Sequence, residues 1–365
     1  MGIVIFEDTR KAELEDFRQM LLSCAAVQRR KDDDGFKRRE NTLATEDGGD
    51  ALDRMVCVTS GVSYLGIAIV NHLLVNGYSV RIIVDNEEDV DKLREMEISG
   101  EMRLADSIVE VVMAKLTEVE SLTEAFQGCY CVCHTCAFVD PAGLSGYTKA
   151  MADIEVNASK NVMTACKLSP SVRHCVLTSS LLACIWRDDS LDEFPPLVDH
   201  KCWSDESICM SKKLWYALGK LRAEKAAWEI AKDGHLKLVT ICPGLVTGPE
   251  FYNKSPTSTI AYLKGMEEMY RLGLLATVDI KQLAKAHVSV LEQMKKTACG
   301  RYICFDRVIK RDEEIRVLAC QTGLNLNASP IVSTTEDTLT PQFELSKTKL
   351  DRLLLASATP PRCCQ

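Results

Sequence analysis

From Met55 onward, short apolar runs alternate with longer segments in which apolar residues recur every three or four positions. The run 55–60 (MVCVTS) predicts a buried strand, and the spacing in 64–77 predicts a helix that ends at Gly77. The same two patterns repeat, in the same order, through 78–248. This alternation is typical of βαβ units, so we expect an α/β fold with a parallel sheet covered by helices on both faces.

The boundaries of the later elements follow from the same periodicity. The predicted strands are 78–85, 107–116, 129–138, 173–180 and 236–244. The predicted helices are 85–97, 118–128, 144–168 and 212–234. Beyond Gly248 the alternation of strands and helices gives way to loops and separate helices, which predicts a smaller lobe that caps the sheet.

The chain divides into four parts by pattern and composition. Residues 1–52 include a charged, glycine-containing stretch with almost no apolar residues, and we expect a disordered or loosely helical extension. Residues 53–250 carry the strand–helix alternation and form the expected nucleotide-binding domain. Residues 251–356 are mainly the expected substrate-binding lobe, and residues 357–365 form a tail.

Composition narrows the possible partners. The 365 residues carry a formal net charge of −8, which argues against general nucleic-acid or membrane-surface binding. No apolar run approaches the ~20 residues that span a bilayer, and the first residues do not resemble a signal peptide. The 17 cysteines are not spaced as a disulfide framework, so we expect reduced, mostly buried thiols in a cytoplasmic protein. The oligomeric state is left open.

One cysteine-rich stretch, GCYCVCHTC, has the composition of a metal site. On a strand, residues two apart point to the same side, where adjacent thiols converge poorly on one ion. A matching Cys/His pair at zinc-finger spacing is missing elsewhere in the sequence. We therefore predict no metal at the residues concerned, which are Cys129, Cys131, Cys133, His134 and Cys136.

The stretch 56–66, VCVTSGVSYLG, has the form of a first strand, a phosphate-binding turn and the start of a helix. The helix N-terminus offers backbone N–H groups and a positive dipole end to a pyrophosphate. Ser60 and Ser63 stand where such turns usually carry glycine, and a left-handed backbone at a non-glycine residue would cost roughly 1–2 kcal/mol. We expect a weakened but working nucleotide site on a Rossmann-type, doubly wound sheet. Its candidate residues are Thr59, Ser60, Gly61, Ser63, Tyr64, Leu65 and Gly66.

The second predicted strand ends in Asp85, at the distance where such folds meet the adenosine ribose. A carboxylate there accepts bonds from the ribose hydroxyls and repels a 2′-phosphate, which favours NAD over NADP. Helix capping is the alternative, because Asp85 and Asn86 precede an acidic first turn. Lys115 follows the third strand, and it would partly offset the repulsion between Asp85 and a 2′-phosphate if its ammonium reached that phosphate.

Tyr216 and Lys220 lie four residues apart on one face of the predicted helix 212–234. A phenol titrates at about 10, and a neighbouring ammonium stabilises the phenolate and makes the phenol a better acid. Ser179 and Ser180 end a buried strand at the same carboxyl edge, where a hydroxyl can hold a carbonyl oxygen while Tyr216 protonates it.

The segment CPGLVTGP places a Pro-Gly turn at the carboxyl end of another strand. Pro243 and Val246 are therefore candidates for backbone contacts with a nicotinamide amide. By contrast, His134 and His287 lie in apolar strand and helix settings, and we expect both to be packed rather than catalytic.

Residues from about 54 to 356 resemble the extended short-chain dehydrogenase/reductases of plants, specifically the cinnamoyl-CoA reductase and dihydroflavonol 4-reductase branch. This resemblance implies a Rossmann fold, NADP(H), and reduction of a phenylpropanoid thioester or carbonyl of the kind used in lignin biosynthesis. By position it implies a catalytic set of Ser180, Tyr216 and Lys220, with Asn157 ordering a water near the lysine. The segments that carry it are HTCAFVDP, VNASKNV, VLTSSLLACIW, DHKCWSDES, KLWYALGKLRAEKAAW, CPGLVTGP and VDIKQLAKAH.

Two departures from that branch bear on the coenzyme and the activity. Asp85 replaces the arginine that usually reads the 2′-phosphate, so NAD and NADP both stay open. Leu214 and Leu218 remove polar groups near the catalytic pair. The leading hypothesis is an NAD(P)-dependent reductase of a carbonyl or acyl-CoA substrate. The alternatives are a catalytically weakened nucleotide-binding or scaffolding protein and a sugar-nucleotide epimerase-type enzyme on the same fold.

Overall fold

The computed structural model describes residues 55–102, 109–135, 147–187, 197–232, 234–249, 256–322 and 342–358. The predicted extension 1–52 and residues 359–365 of the predicted tail lie outside this range, as does Cys136.

Twelve strands and twelve helices make up the described structure. The strands are β1 Met55–Val58, β2 Ser79–Val84, β3 Val109–Met113, β4 Cys131–His134, β5 His174–Thr178, β6 Leu197–Val198, β7 Lys237–Pro243, β8 Leu245–Thr247, β9 Ala276–Asp279, β10 Gly300–Cys304, β11 Arg307–Val308 and β12 Glu344–Leu345. The helices are α1 Tyr64–Val75, α2 Glu87–Ile98, α3 Val119–Ala125, α4 Lys149–Leu168, α5 Leu182–Ile185, α6 Glu206–Ser211, α7 Trp215–Ala231, α8 Pro256–Leu263, α9 Met266–Leu272, α10 Ile280–Gln293, α11 Asp312–Thr322 and α12 Thr348–Ala358.

The main sheet is parallel throughout and has seven strands in the order β10-β7-β5-β4-β1-β2-β3. This confirms the predicted Rossmann-type fold. The strand order reverses between β1 and β4, and ligands of such sheets bind outside the carboxyl ends of the strands at that point. The turn after β1 and the end of β4 therefore flank the expected binding crevice.

Part of the chain beyond residue 250 returns to the main sheet. Strand β10 pairs in parallel with β7 along Gly300–Cys304, and helix α10 packs against α1. The smaller lobe contains a second sheet in the order β11-β9-β8 and the helices α8, α9 and α11. Its apolar cluster includes Leu263, Met269 and Leu275, and this cluster extends under helix α7 through Leu218.

Helices α4 and α7 form the most extensive helix–helix packing in the described structure. Gly219 makes this approach possible, because a Cβ atom there would lie 3.1 Å from Ala152 Cβ and from Tyr147 Oη. The helix predicted over 144–168 begins at Lys149, since the Thr148 side chain accepts a hydrogen bond from the Met151 N–H and caps it. Tyr147 therefore lies just outside the helix, beside α7.

The cysteines behave as apolar core residues. The structure describes the side chains of twelve cysteines, all of which are free thiols and ten of which are buried. Burial raises the pKa of the Cys131 thiol and of the Cys166 thiol. Across the same ranges, no helix has the length and apolar character needed to cross a bilayer.

Candidate active site

A cleft opens at the carboxyl edge of the main sheet. It joins the turn after β1, the ends of β4, β5 and β7, the start of α7 and helix α8 of the smaller lobe. Because all these strands are parallel, their carboxyl ends meet at one edge. The lining residues are Ser63, Tyr64, Leu65, Thr135, Thr178, Ser179, Ser180, Tyr216, Lys220, Pro243, Gly244, Leu245, Val246, Ser258, Thr259 and Tyr262.

Ser63 is the N-cap of helix α1, with φ −73° and ψ 157°. Its hydroxyl accepts a hydrogen bond from the Gly66 N–H at 3.0 Å and donates to the Ser60 carbonyl at 2.7 Å. Lys213 is the one non-glycine residue in the described ranges with a positive φ. The expected cost of a left-handed backbone at Ser60 and Ser63 is therefore wrong, and both serines fit the turn without strain.

The two glycines of the turn are required by space rather than by backbone angle. A Cβ atom at Gly66 would overlap the carbonyl oxygen of Ser60. One at Gly61 would lie 2.5 Å from Ile82 Cγ2 of the neighbouring strand. Both hold the turn tightly against the sheet, so that the first turn of α1 faces the cleft.

Thr59 and Tyr64 fix the two sides of this turn. The Thr59 N–H donates to the Cys133 carbonyl, and its hydroxyl lies 2.9 Å from His134 Nδ1, which ties the turn to β4. The Tyr64 hydroxyl donates to the Pro249 carbonyl and so links the turn to the segment after β8. The cleft is thereby bounded on the side of the smaller lobe.

Asp85 lies at the end of β2, exposed and outside the cleft lining. Asn86, not Asp85, caps helix α2, because the Asn86 side chain accepts a hydrogen bond from the Asp89 N–H at 3.0 Å. The capping alternative for Asp85 is therefore excluded. Lys115 is 59% exposed and its ammonium lies 3.6 Å from a Glu118 carboxylate oxygen.

Tyr216 and Lys220 both line the cleft. They lie on one face of α7, and the Lys220 ammonium is 5.6 Å from the centre of the Tyr216 ring. The Tyr147 ring packs edge-on against Tyr216, with the ring centres 5.1 Å apart. The tyrosine ring is thus held between a neighbouring aromatic ring and a buried cation.

Ser179 and Ser180 follow β5 and have different partners. The Ser179 hydroxyl donates to Glu224 Oε2 at 2.6 Å, within a buried network. The Ser180 hydroxyl accepts a hydrogen bond from the Leu182 N–H at 3.2 Å. That bond uses a lone pair of the Ser180 oxygen and leaves its proton to donate into the cleft.

Asn157, which was expected to order a water near Lys220, is not among the residues that line the cleft. It is exposed on α4, whereas the buried face of that helix carries Ala152, Glu155 and Ala158. The Glu155 carboxylate lies 2.6 Å from the Lys220 ammonium, and the two side chains are 4% and 5% exposed. The only sequence signal for this contact is that Glu155 falls on the otherwise apolar face of the helix.

Two buried histidines near the cleft are neutral packing residues, as predicted. Burial and the Lys220 charge lower the pKa of His134 to about 3. Burial lowers the pKa of His287 to about 4, and its Nδ1–H donates to the Leu283 carbonyl while Nε2 accepts from Thr178.

Tyr262 of α8 is a cleft residue that no sequence motif indicates. Its side chain is buried, the Leu245 backbone N–H faces its oxygen, and its proton has no acceptor among the described residues. Burial raises the pKa of Tyr262, so this phenol is neutral and able to donate to a ligand.

Residues 57–304 match the model of the 3-beta hydroxysteroid dehydrogenase/isomerase family. Among curated proteins, the chain is 35% identical to cinnamoyl-CoA reductase 1 of Petunia hybrida over 271 residues. That alignment covers 73% of this chain and 77% of the petunia protein.

Solved structures show the same fold. Vestitone reductase of alfalfa superposes with a TM-score of 0.58 at 24% identity, over 82% of this chain and 91% of that one. The yeast methylglyoxal/isovaleraldehyde reductase Gre2, complexed with NADPH, superposes with a TM-score of 0.61 at 20% identity, over 82% of this chain and 92% of that one.

Proposed function

This chain belongs to the 3-beta hydroxysteroid dehydrogenase/isomerase family and is an NAD(P)-dependent oxidoreductase, and we propose that it reduces the carbonyl or acyl-CoA group of a phenylpropanoid-like substrate. One observation carries the proposal: Tyr216, Lys220 and Ser180 line the same cleft as the nucleotide turn. A proton donor, a cation and a hydroxyl thus face the space next to the expected coenzyme. The petunia relative is named for a cinnamoyl-CoA substrate, which supports the substrate class.

The residues at one end of the cleft fit a dinucleotide. The first turn of α1 presents the Tyr64 and Leu65 backbone, where N–H groups and the helix dipole favour a pyrophosphate. Pro243 and Val246, at the other end, suit contacts with a nicotinamide amide. When bound, the reduced coenzyme supplies the hydride.

The protein residues then supply the proton and hold the carbonyl. The Ser180 hydroxyl donates a hydrogen bond to the substrate oxygen and the Tyr216 hydroxyl gives it a proton as the hydride arrives. Lys220 stabilises the phenolate that Tyr216 leaves behind, and proton exchange with solvent restores the phenol. The buried Tyr262 hydroxyl, across the cleft, is available to orient a polar group of the substrate.

A substrate panel tests the proposal. Purified protein is assayed with hydroxycinnamoyl-CoAs, cinnamaldehydes and flavanonols, each with NADH and with NADPH, by loss of reduced-coenzyme absorbance. We expect turnover of at least one class. Binding of neither coenzyme at high micromolar concentration would instead favour a scaffolding protein, and a coenzyme retained through purification would favour an epimerase.

The two serines after β5 make a matched pair of variants. We expect Ser180→Ala to lower kcat about 10²–10³-fold, because a hydrogen-bond donor to the reacting oxygen is lost. Ser179→Ala should leave kcat much closer to wild type, since its hydroxyl is bonded to Glu224. It should instead lower the free energy of unfolding by about 1.5–3 kcal/mol, as expected for a bond to a charged group. Steady-state kinetics and denaturant unfolding measure the two effects, and equal losses of kcat would remove the special role of Ser180.

The acidic end of β2 favours NADH over NADPH in this proposal. Asp85 is followed by three carboxylates in the first turn of α2, which are Glu87, Glu88 and Asp89. Lys92 is engaged with Glu88 and Asp89, at 3.0 and 3.3 Å. A 2′-phosphate would approach this negative group of side chains, whereas ribose hydroxyls can donate to Asp85.

We expect Asp85→Arg to shift the ratio of NADPH to NADH affinities about tenfold or more towards NADPH, which equals ~1.4 kcal/mol. The control is Glu88→Arg, which makes the same charge change at a carboxylate that is 78% exposed and paired with Lys92. Fluorescence titration with both coenzymes gives the ratios. An equal shift in both variants would mean that only the general charge of this edge matters.

A further inference from the structure

We propose that Glu155 is a positioning residue that balances the charge of Lys220 and keeps the Tyr216 phenol protonated to higher pH. The proposal rests on the proposed function, since it concerns how the same site manages its proton. Its basis is the buried ion pair between Glu155 Oε1 and Lys220 Nζ at 2.6 Å.

The carboxylate is held in place from two sides. One oxygen contacts Lys220 of α7, and the other accepts a hydrogen bond from the Tyr147 hydroxyl. Gly219 allows this convergence, because a side chain there would press on the Tyr147 hydroxyl and on α4. A buried carboxylate without partners would strongly destabilise the fold, so the pairing explains how Glu155 is tolerated on an apolar helix face.

The ion pair changes the field that acts on the catalytic phenol. An isolated ammonium 5.6 Å from the Tyr216 ring would favour the phenolate. A carboxylate 2.6 Å from that ammonium carries the opposite charge and weakens this effect at the phenol without removing it, so Lys220 still stabilises the phenolate that forms during turnover. The same compact pair limits where the ammonium can move in the cleft.

Other titratable groups face this pair from every packed element but do not replace Glu155. His134, at the end of β4, is neutral because its pKa is about 3. Glu224, one turn further along α7, is paired with Arg301 at 2.7 Å, so their charges balance. Tyr147 and Tyr216 are the phenols that contact the pair, and Tyr262 of α8, which lines the same cleft as Tyr216, is neutral because burial raises its pKa. Glu155 is thus the carboxylate in direct contact with the Lys220 ammonium.

The direction of the effect follows from the chemistry of reduction. Proton donation requires the protonated phenol, so reductase activity falls as pH rises and phenolate forms. While Lys220 remains protonated, removing the Glu155 charge leaves the ammonium uncompensated, stabilises the phenolate and moves this fall to lower pH. Glu155 therefore extends the working range of the reductase towards alkaline pH.

The test compares Glu155→Gln with Asp153→Asn, which removes an exposed carboxylate two residues away on the same helix. On the alkaline side of the pH profile, we expect kcat for reduction to fall at a pH that is lower by about one unit or more in Glu155→Gln than in wild type. In Asp153→Asn the alkaline fall of kcat should occur at the same pH as in wild type. If it occurs at the same pH in Glu155→Gln and in wild type, the proposal is overturned. If the Gln variant does not fold, Glu155→Met removes the same charge with a similar side-chain length.

A second readout does not depend on turnover. The ultraviolet absorbance of phenolate is titrated in wild type and in Tyr216→Phe, and their difference reports Tyr216 alone. The same difference is measured for Glu155→Gln with and without Tyr216→Phe. We expect it to develop well above neutral pH in the wild-type background and at lower pH in the Glu155→Gln background. Phenolate that is already present near neutral pH in wild type would overturn the role of Glu155, whichever variants fold. Absence of any reductase activity would instead count against the proposed function and leave this titration as the test of Glu155.

Discussion

We expect Tyr216→Phe to lower kcat for reduction by about 10²–10⁴-fold, the usual contribution of a positioned general acid. The substitution removes one oxygen atom and keeps the ring that packs edge-on against Tyr147. Stability should therefore change little. The coenzyme contacts proposed for the turn after β1 lie at the other end of the cleft, so affinity for NADH should stay close to wild type.

Tyr270→Phe is the matched control for this experiment. Its hydroxyl donates to Asp312 at 2.7 Å in the smaller lobe, outside the cleft lining. Steady-state kinetics and fluorescence titration of coenzyme binding separate the two variants. A comparable loss of coenzyme affinity in Tyr216→Phe would mean that Tyr216 is a structural residue. Retention of full kcat would end its assignment as the proton donor.

Local periodicity predicted most of the nucleotide-binding fold because each strand and helix of a βαβ unit carries its own apolar pattern. The main-sheet strands before residue 244 and the helix that carries Tyr216 follow directly from that pattern. The return of β10 to the main sheet does not. Its pairing with β7 joins residues about 60 positions apart in sequence, and such long-range register leaves no mark in a local window.

The site was less predictable, because its contacts depend on backbone angles and helix rotation. Spacing alone could not show that Ser63 adopts an extended N-cap conformation, so it overestimated the strain of the turn. A rotation of about 100° per residue separates neighbouring positions on a helix. A separation of two positions along the helix is therefore enough to turn Glu155 towards Lys220 and Asn157 towards solvent. From the sequence alone, a charged residue such as Glu155 is expected to be exposed, because its partner on another helix is not known.

A buried ionic network next to Ser179 links three adjacent strands of the main sheet, β5, β7 and β10. Glu224, fully buried on α7, accepts hydrogen bonds from Ser179 after β5, from Thr240 of β7 at 2.6 Å and from Arg301 of β10 at 2.7 Å. The Arg301 guanidinium also stacks on Trp203, 3.6 Å from the ring centre. One carboxylate thus joins three adjacent strands of the main sheet.

We expect Glu224→Gln to lower the free energy of unfolding by about 3–5 kcal/mol, because it leaves the Arg301 guanidinium buried without its counter-charge. Glu206→Gln is the matched control, since its pair with Arg222 is about one-third exposed on both sides and exposed pairs contribute about 0–1 kcal/mol. Denaturant unfolding measures the free energy of unfolding of each variant. The comparison is valid where both show the same dependence of this free energy on denaturant concentration. Equal losses of unfolding free energy in the two variants would show that the hydrogen bonds around Glu224, rather than its charge, hold β5, β7 and β10 together. In that case the Glu224→Gln variant should also support near-normal catalysis by Ser180, whereas loss of the charge balance should disturb the site and the fold together.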